Sequence, residues 1–543
     1  MDTHTLETLC LFLLIVVALF AGMAKRLNVP YPILLVLAGL GISLVPHVPR
    51  IPLNPDLVFN VFLPPLLYAA AWQTNWREFQ RNIVSISMLA VGLVGFTVLG
   101  IAYFADHFIT ALDFKSGFLL GAVVGATDAV AATSIARSLG LSPRVTGLIE
   151  GESLLNDATG LLALEFGLAL LLNGTAPSVG EGSLRLIWLI VGGIGTGLVL
   201  GYIMTFVERW IVDGPLEMAV SLIVPYVAYL AAEQVHASAV LAVVACGLFL
   251  SRRSTGYLTA GARLEIMRAW TALDFMLNGI VFVLIGLQLP YILAGIRGYS
   301  VWTLLLYGVV FSLVLIVLRM VWVFPGAHVS AWIRRTVFRS TTATPPTPKN
   351  IFVVGWTGMR GVVALAAALS LPTTLSDGTP FEQRNLILFL TFSIIFVTLV
   401  VQGLSLPPLI RRLGIGGNVE EQQEEWAVRY RVLSAAIASI EKARRSVDEA
   451  EVHDFDDLLH RYKHRLEAIT VFDRLSHSPG SVDEAAQATS ERHLRRSELI
   501  RETIAVERRT LLEMRDEGSA GDDVLRRLER ELDLTETRYE TRD

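Results

Sequence analysis

Thirteen apolar runs, several with a carboxylate inside them, constrain this chain more than any other feature. They fall at about 5–23, 31–48, 55–72, 82–104, 116–137, 145–172, 184–207, 215–233, 237–251, 269–290, 301–323, 350–371 and 385–408. A hydrocarbon core roughly 30 Å thick needs about 20 helical residues to cross it. Lipid offers the backbone no hydrogen-bond partner, so only helices or closed barrels span it, and runs this long and apolar are not barrel strands. The sequence therefore predicts an all-α polytopic membrane protein of about 13 transmembrane helices. Charge is confined elsewhere: residues 415–543 are dense in Glu, Arg and Asp. That shift divides the chain into a transmembrane domain over 1–412 and a helical tail over 413–543, so the net charge of −5 describes neither part.

The loops orient the spans. One set carries Lys25, Arg26, Arg77, Arg81, Arg137, Arg144, Arg209, Arg252, Arg253, Arg263, Arg268, Arg334, Arg335, Arg339 and Lys349, and then Arg411 and Arg412. The other carries only Arg50, Lys115, Arg185, Arg297 and Arg384. The positive-inside bias puts the first set and the tail in the cytoplasm and the N-terminus outside, at the plasma (inner) membrane. The first apolar run lacks a basic leader and is read as a transmembrane helix, not a cleaved signal. Cys10 and Cys246 both lie in apolar runs, which predicts buried thiols and no disulfide framework. No large basic patch argues for nucleic acid, and no motif calls for a cofactor.

Two spans are interrupted at mid-depth. Residues 125–129 read GATDA in the fifth, and residues 355–361 read GWTGMRG in the twelfth. One broken helix in each half is the sequence sign of an inverted-repeat secondary transporter. Broken ends expose partial charges, negative at a half-helix C-terminus and positive at an N-terminus, which gives Asp128 and Arg360 a role in offsetting them.

The sixth span carries GESLLND over 151–157, hence Glu152, Ser153, Asn156 and Asp157. Glu152 and Asn156 share a face, four residues apart, and Asp157 is rotated about 100° from Asn156. A charge at such depth costs roughly 2.5–3.5 kcal/mol on insertion scales, so buried acids are paired or functional. Three deep acids, Asp128, Glu152 and Asp157, face two deep arginines, Arg319 and Arg360. Two ion pairs would leave one carboxylate over, where a proton and a hard cation compete. Thr127, Ser153, Asn156 and the carbonyls of the break supply the oxygen ligands that sodium prefers.

These motifs, with FLPPLLYAA in the third span, LNGIVFVLIGLQL in the tenth, LRMVW in the eleventh and GMRGVVALAAAL in the twelfth, resemble the NhaP/NHE-like monovalent cation:proton antiporters over about residues 8–410. The resemblance implies a homodimer whose six-helix core domain moves like an elevator past a dimerisation domain, serving pH and salt homeostasis. It implies that Asp157 binds Na⁺ or a proton, that Ser153 and Thr127 are Na⁺ ligands, and that Asn156 goes with electroneutral one-for-one exchange. Glu152 is expected to pair with Arg319, and Asp128 and Arg360 to sit at the helix crossing. Two departures stand out: Ala129 follows Asp128 where many relatives have proline, and Tyr68 stands where some carry an acid.

Potassium in place of sodium is the rival within this reading, and a cation channel gated by the tail is the rival from another class. No zinc motif, nucleophile elbow or phosphate-binding loop supports an enzyme. In the tail, Leu494, Leu499, Ile500, Ile504, Leu511 and Leu512 form an apolar stripe at helical spacing, which predicts packing within the tail or against a second copy. His453, His460 and His464 read as a solvated helix face.

Overall fold

The computed structural model describes residues 3–27, 29–45, 53–173, 179–208, 210–211, 214–258, 260–296, 298–338, 347–376, 378–415, 419–445 and 452–477, with scattered positions beyond 494. It separates into two compact units, Met1–Gly417 and Asn418–Asp543. Among the described residues all regular structure is helical, apart from an isolated bridge between Thr374 and Pro380. The first unit runs α1 (Thr3–Leu27), α2 (Tyr31–Ser43), α3 (Leu63–Gln73), α4 (Trp76–Phe108), α5 (Phe114–Val123), α6 (Ala129–Ser138) and α7 (Pro143–Asn173). It continues through α8 (Val179–Glu208), α9 (Gly214–Gln234), α10 (Ala239–Tyr257), α11 (Ala260–Leu287), α12 (Val301–Thr336), α13 (Pro348–Trp356), α14 (Val362–Leu369) and α15 (Arg384–Leu413). Helix occupies every run that the sequence marks as a span, and among the described residues seven helices are by themselves long and apolar enough to cross a membrane.

The first unit is built from two sets of helices. One set gathers α1, α2, α3, α8, α9, α10 and α11; the other gathers α4 to α7 and α12 to α15. Close approach within each set rests on small residues. α8 and α10 make the most extensive contact, where Gly193 lies on the Ser238 carbonyl, Gly197 on the Ala242 backbone and Gly201 on Phe249. That four-residue spacing puts a groove along one face of α8, which lets two backbones meet where lipid supplies no hydrophobic drive. Gly117 and Gly121 seat α5 on the Ala102 and Val98 backbone of α4 in the same way.

Three helices contain a π turn, at Val58–Phe62, at Met88–Leu93 within α4 and at Thr398–Gln402 within α15. Such turns free backbone groups and cluster at functional sites. The indole of Trp322 donates to the Met88 carbonyl (3.2 Å), and the hydroxyl of Tyr226 donates to that of Val61 (3.0 Å).

In the second unit α16 (Val419–Arg444) and α17 (Val452–His477) form a helical pair, tied by Arg444–Asp456 (2.7 Å) and Lys463–Glu441 (3.1 Å). Of the expected apolar stripe, Ile504 and Leu511 are buried and Leu499 is exposed, while Leu494, Ile500 and Leu512 lie outside the described residues. Cys246 is buried as expected, and the Cys10 side chain lies outside the described residues.

Candidate functional site

The two interrupted spans cross. α5 ends at Val123 and α6 begins at Ala129; α13 ends at Trp356 and α14 begins at Val362. The extended residues between them meet where the Asp128 amide donates to the Met359 carbonyl (2.8 Å). Asp128 caps α6, its carboxylate accepting from the Val130 amide (2.8 Å), so an anion sits at a half-helix N-terminus. Gly361 lies directly on that carboxylate, and a Cβ there would overlap it. The break therefore needs no proline after Asp128. It rests on the cap, on the glycine opposite and on a bond across the crossing.

Arg319 of α12 is the second anchor. Its guanidinium grips Glu152 of α7 through both nitrogens (2.5 and 2.8 Å) and donates to the carbonyls of Gly355 and Val354 (both 3.0 Å). Both side chains are buried. Those carbonyls end α13, so a cation sits at a half-helix C-terminus, as the dipole favours. A bidentate pair with every charge satisfied is the geometry that makes a buried ion pair tolerable. Gly358 closes over the guanidinium, leaving no room for a side chain.

Arg360 is placed differently. Its side chain is buried, with Nε and Nη1 lacking a hydrogen-bond partner, and it makes no ion pair among the described residues. Its amide donates to the Thr398 hydroxyl in the π turn of α15 (3.1 Å). The two ion pairs counted from the sequence thus reduce to one, Glu152–Arg319, with Arg360 a buried cation at the gap between α13 and α14.

Glu152 and Asn156 share a face and both reach Thr127. Asn156 Nδ2 donates to Thr127 Oγ1 (2.5 Å), which lies 3.4 Å from Glu152 Oε1. Asn156 Oδ1 has no partner. Ser153 Oγ donates to the Thr127 carbonyl (2.6 Å) and accepts from the Ala129 amide (3.2 Å). The two hydroxyls expected as ion ligands are thus also the bonds that hold the fifth-span break against α7.

Asp157 points the other way. It is buried, and no described cation or hydrogen-bond donor meets its carboxylate. It lines a cavity of about 330 Å³ between the two sets of helices, together with Thr127, Asp128, Ser153, Asp274 and Asn278. The cavity runs to Arg137 and Glu150, an ion pair (2.6 Å) whose arginine is exposed. Tyr68 is buried against Trp270, with ring centroids 4.9 Å apart, and does not line the cavity.

Four further features come from the structure. Asp274 is a further carboxylate in the cavity wall, bonded to Asn278 Nδ2 (2.9 Å). Glu165, on α7, pairs with Arg185 of α8 (3.3 Å), and Arg185 also donates to the His236 carbonyl (3.0 Å). Exposed His236 has a left-handed backbone (φ 53°) that turns the chain between α9 and α10. Gln288 is buried, its carbonyl oxygen accepting from the Leu53 amide (3.2 Å).

Two helices broken at mid-span and crossed, beside a cavity that ends on a buried carboxylate, define a secondary ion transporter by architecture. The comparisons with known proteins agree. Residues 13–412 match the transmembrane sodium/hydrogen exchanger family, and the chain belongs to that family. It is 31% identical to an uncharacterized Na(+)/H(+) exchanger of Mycobacterium tuberculosis (strain ATCC 25618 / H37Rv), over 96% of this chain and 95% of that one. It is 33% identical to the Na(+)/H(+) antiporter ApNhaP of Aphanothece halophytica (72% and 71% covered). It is 32% identical to the sodium, potassium, lithium and rubidium/H(+) antiporter of Bacillus subtilis (strain 168) (70% and 58%). In fold it is similar to the sodium proton antiporter MjNhaP1 of Methanocaldococcus jannaschii at pH 8, with a TM-score of 0.56 and 20% identity over 77% of this chain and all of that one. It is thus a multi-pass membrane protein of a transporter family.

Proposed function

We propose that the protein exchanges Na⁺ for H⁺ across the plasma (inner) membrane, one for one, with Asp157 binding either a proton or the cation in competition. The observation that carries this reading is the contrast between two carboxylates five residues apart. Glu152 is fixed by a permanent cation; Asp157 has none among the described residues and faces the cavity. A carboxylate without a partner at that depth is expensive unless a proton or a metal ion neutralises it. Only the neutralised site crosses a low-dielectric barrier cheaply, so competition alone couples the two gradients.

Na⁺ at Asp157 finds further oxygens on Ser153 and Thr127, both in the cavity wall. Asn156 supplies no second titrating group, which favours electroneutral exchange. Asp128, Arg319 with Glu152, and Arg360 compensate the half-helix ends and keep the crossing rigid. With the basic loops in the cytoplasm, the N-terminus is outside, the tail is cytoplasmic, and the cavity opens inward past Arg137. The two sets of helices are the bodies that an elevator motion would slide past each other, in a homodimer embedded in lipid. The B. subtilis relative's name lists four alkali cations, so K⁺ or Li⁺ exchange is the second reading.

The test is proton flux in sealed vesicles holding the purified protein, with voltage clamped and Na⁺, K⁺ or Li⁺ added in turn. Cation-dependent dissipation of a pH gradient that ignores voltage and vanishes in Asp157→Asn is expected. Flux that follows voltage points to unequal charge exchange or a channel, and flux that survives the substitution removes Asp157 from the site.

A further inference from the structure

We propose that Asp274 is a second cation-attracting carboxylate, in the cavity wall contributed by the other set of helices, that captures the cation before Asp157 binds it. This inference rests on the reading of Asp157 given above. Asp274 lies well inside α11, six residues past Arg268, in a helix that belongs to the opposite set from α7. A carboxylate in such a segment is costly unless it has a task.

Its surroundings fit capture and not pairing. One oxygen accepts from Asn278 Nδ2 (2.9 Å), which fixes the rotamer, and Asn278 is itself buried. No described cation forms an ion pair with Asp274. Arg137, within electrostatic reach, is engaged by Glu150 at 2.6 Å. The mouth of the cavity is thereby close to neutral, while its interior carries Asp128, Asp157 and Asp274. Asp128 spends its charge on the α6 cap. Asp157 and Asp274 are left to face the cavity from walls contributed by different sets of helices. A cleft lined by one sign of charge between low-dielectric walls raises the local concentration of its counter-ion.

The placement also separates two duties. Asp157 belongs to the set that carries the crossing, and Asp274 to the set with α1, α2 and α8 to α10. A cation leaving Asp274 for Asp157 passes from one body to the other. Asp274 would then contribute to capture but not to the crossing step, so its loss raises the cation concentration needed without changing the limiting rate.

The experiment is Na⁺-dependent proton flux in vesicles with wild-type protein, Asp274→Asn, Asp274→Glu and Asp157→Asn, titrating Na⁺ at fixed pH and ionic strength. The expected result is an apparent KM for Na⁺ raised about tenfold in Asp274→Asn, with maximal rate within about twofold of wild type, and substantial recovery of KM in Asp274→Glu. An unchanged KM, or a fall in maximal rate at unchanged KM, overturns the role of Asp274 while leaving Asp157 in place. Loss of all flux in Asp274→Asn that Asp274→Glu does not restore also overturns it, because capture needs only the charge. Flux persisting in Asp157→Asn signals failure of the underlying reading instead.

Discussion

At the scale of single residues, the site depends on which acid is given a permanent cation. Arg319 satisfies Glu152 through both oxygens and donates from Nε and Nη2 to the carbonyls that end α13. Removing one member of a buried pair leaves an uncompensated charge, typically worth about 3–5 kcal/mol. Glu152→Gln should therefore lower the thermal midpoint of the purified protein sharply, and Glu152→Gln with Arg319→Met should recover part of the loss. Unfolding curves for both variants check this, and equal stability of single variant and wild type would contradict the structural role. Asp157 and Glu152 were legible in the sequence because a carboxylate in an apolar run has few innocent explanations. Asp274 was not singled out: it lies in the first turns of the tenth apolar run, near the basic loop that ends at Arg268, and only the fold shows that it faces the same cavity as Asp157. The count of two ion pairs misled for a similar reason, since opposite charges can be tallied from a sequence but their reach cannot. Arg360 makes no ion pair among the described residues, while its amide is held against the Thr398 hydroxyl.

At the scale of elements, the broken spans are held by small residues and by bonds between two distant stretches of chain. The GMRG motif is explained residue by residue: Gly358 makes room for the Arg319 guanidinium, Met359 accepts from Asp128, and Gly361 makes room for the Asp128 carboxylate. Gly361→Ala should push Asp128 off the α6 cap, at a cost of about 1–3 kcal/mol from overpacking, and reduce exchange far more than it reduces yield of folded protein. Flux per folded molecule measures this; wild-type flux in that variant would show that the crossing tolerates displacement. The two breaks could be placed from Gly and Thr-Asp signals inside apolar runs. Their mutual crossing could not, because nothing in either stretch announces a hydrogen bond to a partner about 230 residues away along the chain.

At the scale of the whole molecule, apolar run length and the charge shift near residue 415 made the membrane class and the helical tail readable. The division of the first unit into two sets was hidden, because it depends on glycine faces meeting between helices with no shared period, as Gly197 of α8 meets Ala242 of α10. That division places one cavity between two bodies, with the unpaired carboxylate on one of them. The measurement that bears most directly on competition at Asp157 is the apparent KM for Na⁺ over a series of pH values in sealed vesicles. If a proton and Na⁺ exclude each other at one carboxylate, KM should rise as pH falls, approaching about tenfold per pH unit in the acid range, while the rate at saturating Na⁺ stays nearly constant. A KM that does not move with pH, with acid instead lowering the limiting rate, would contradict a shared site and would require separate places for the two ions.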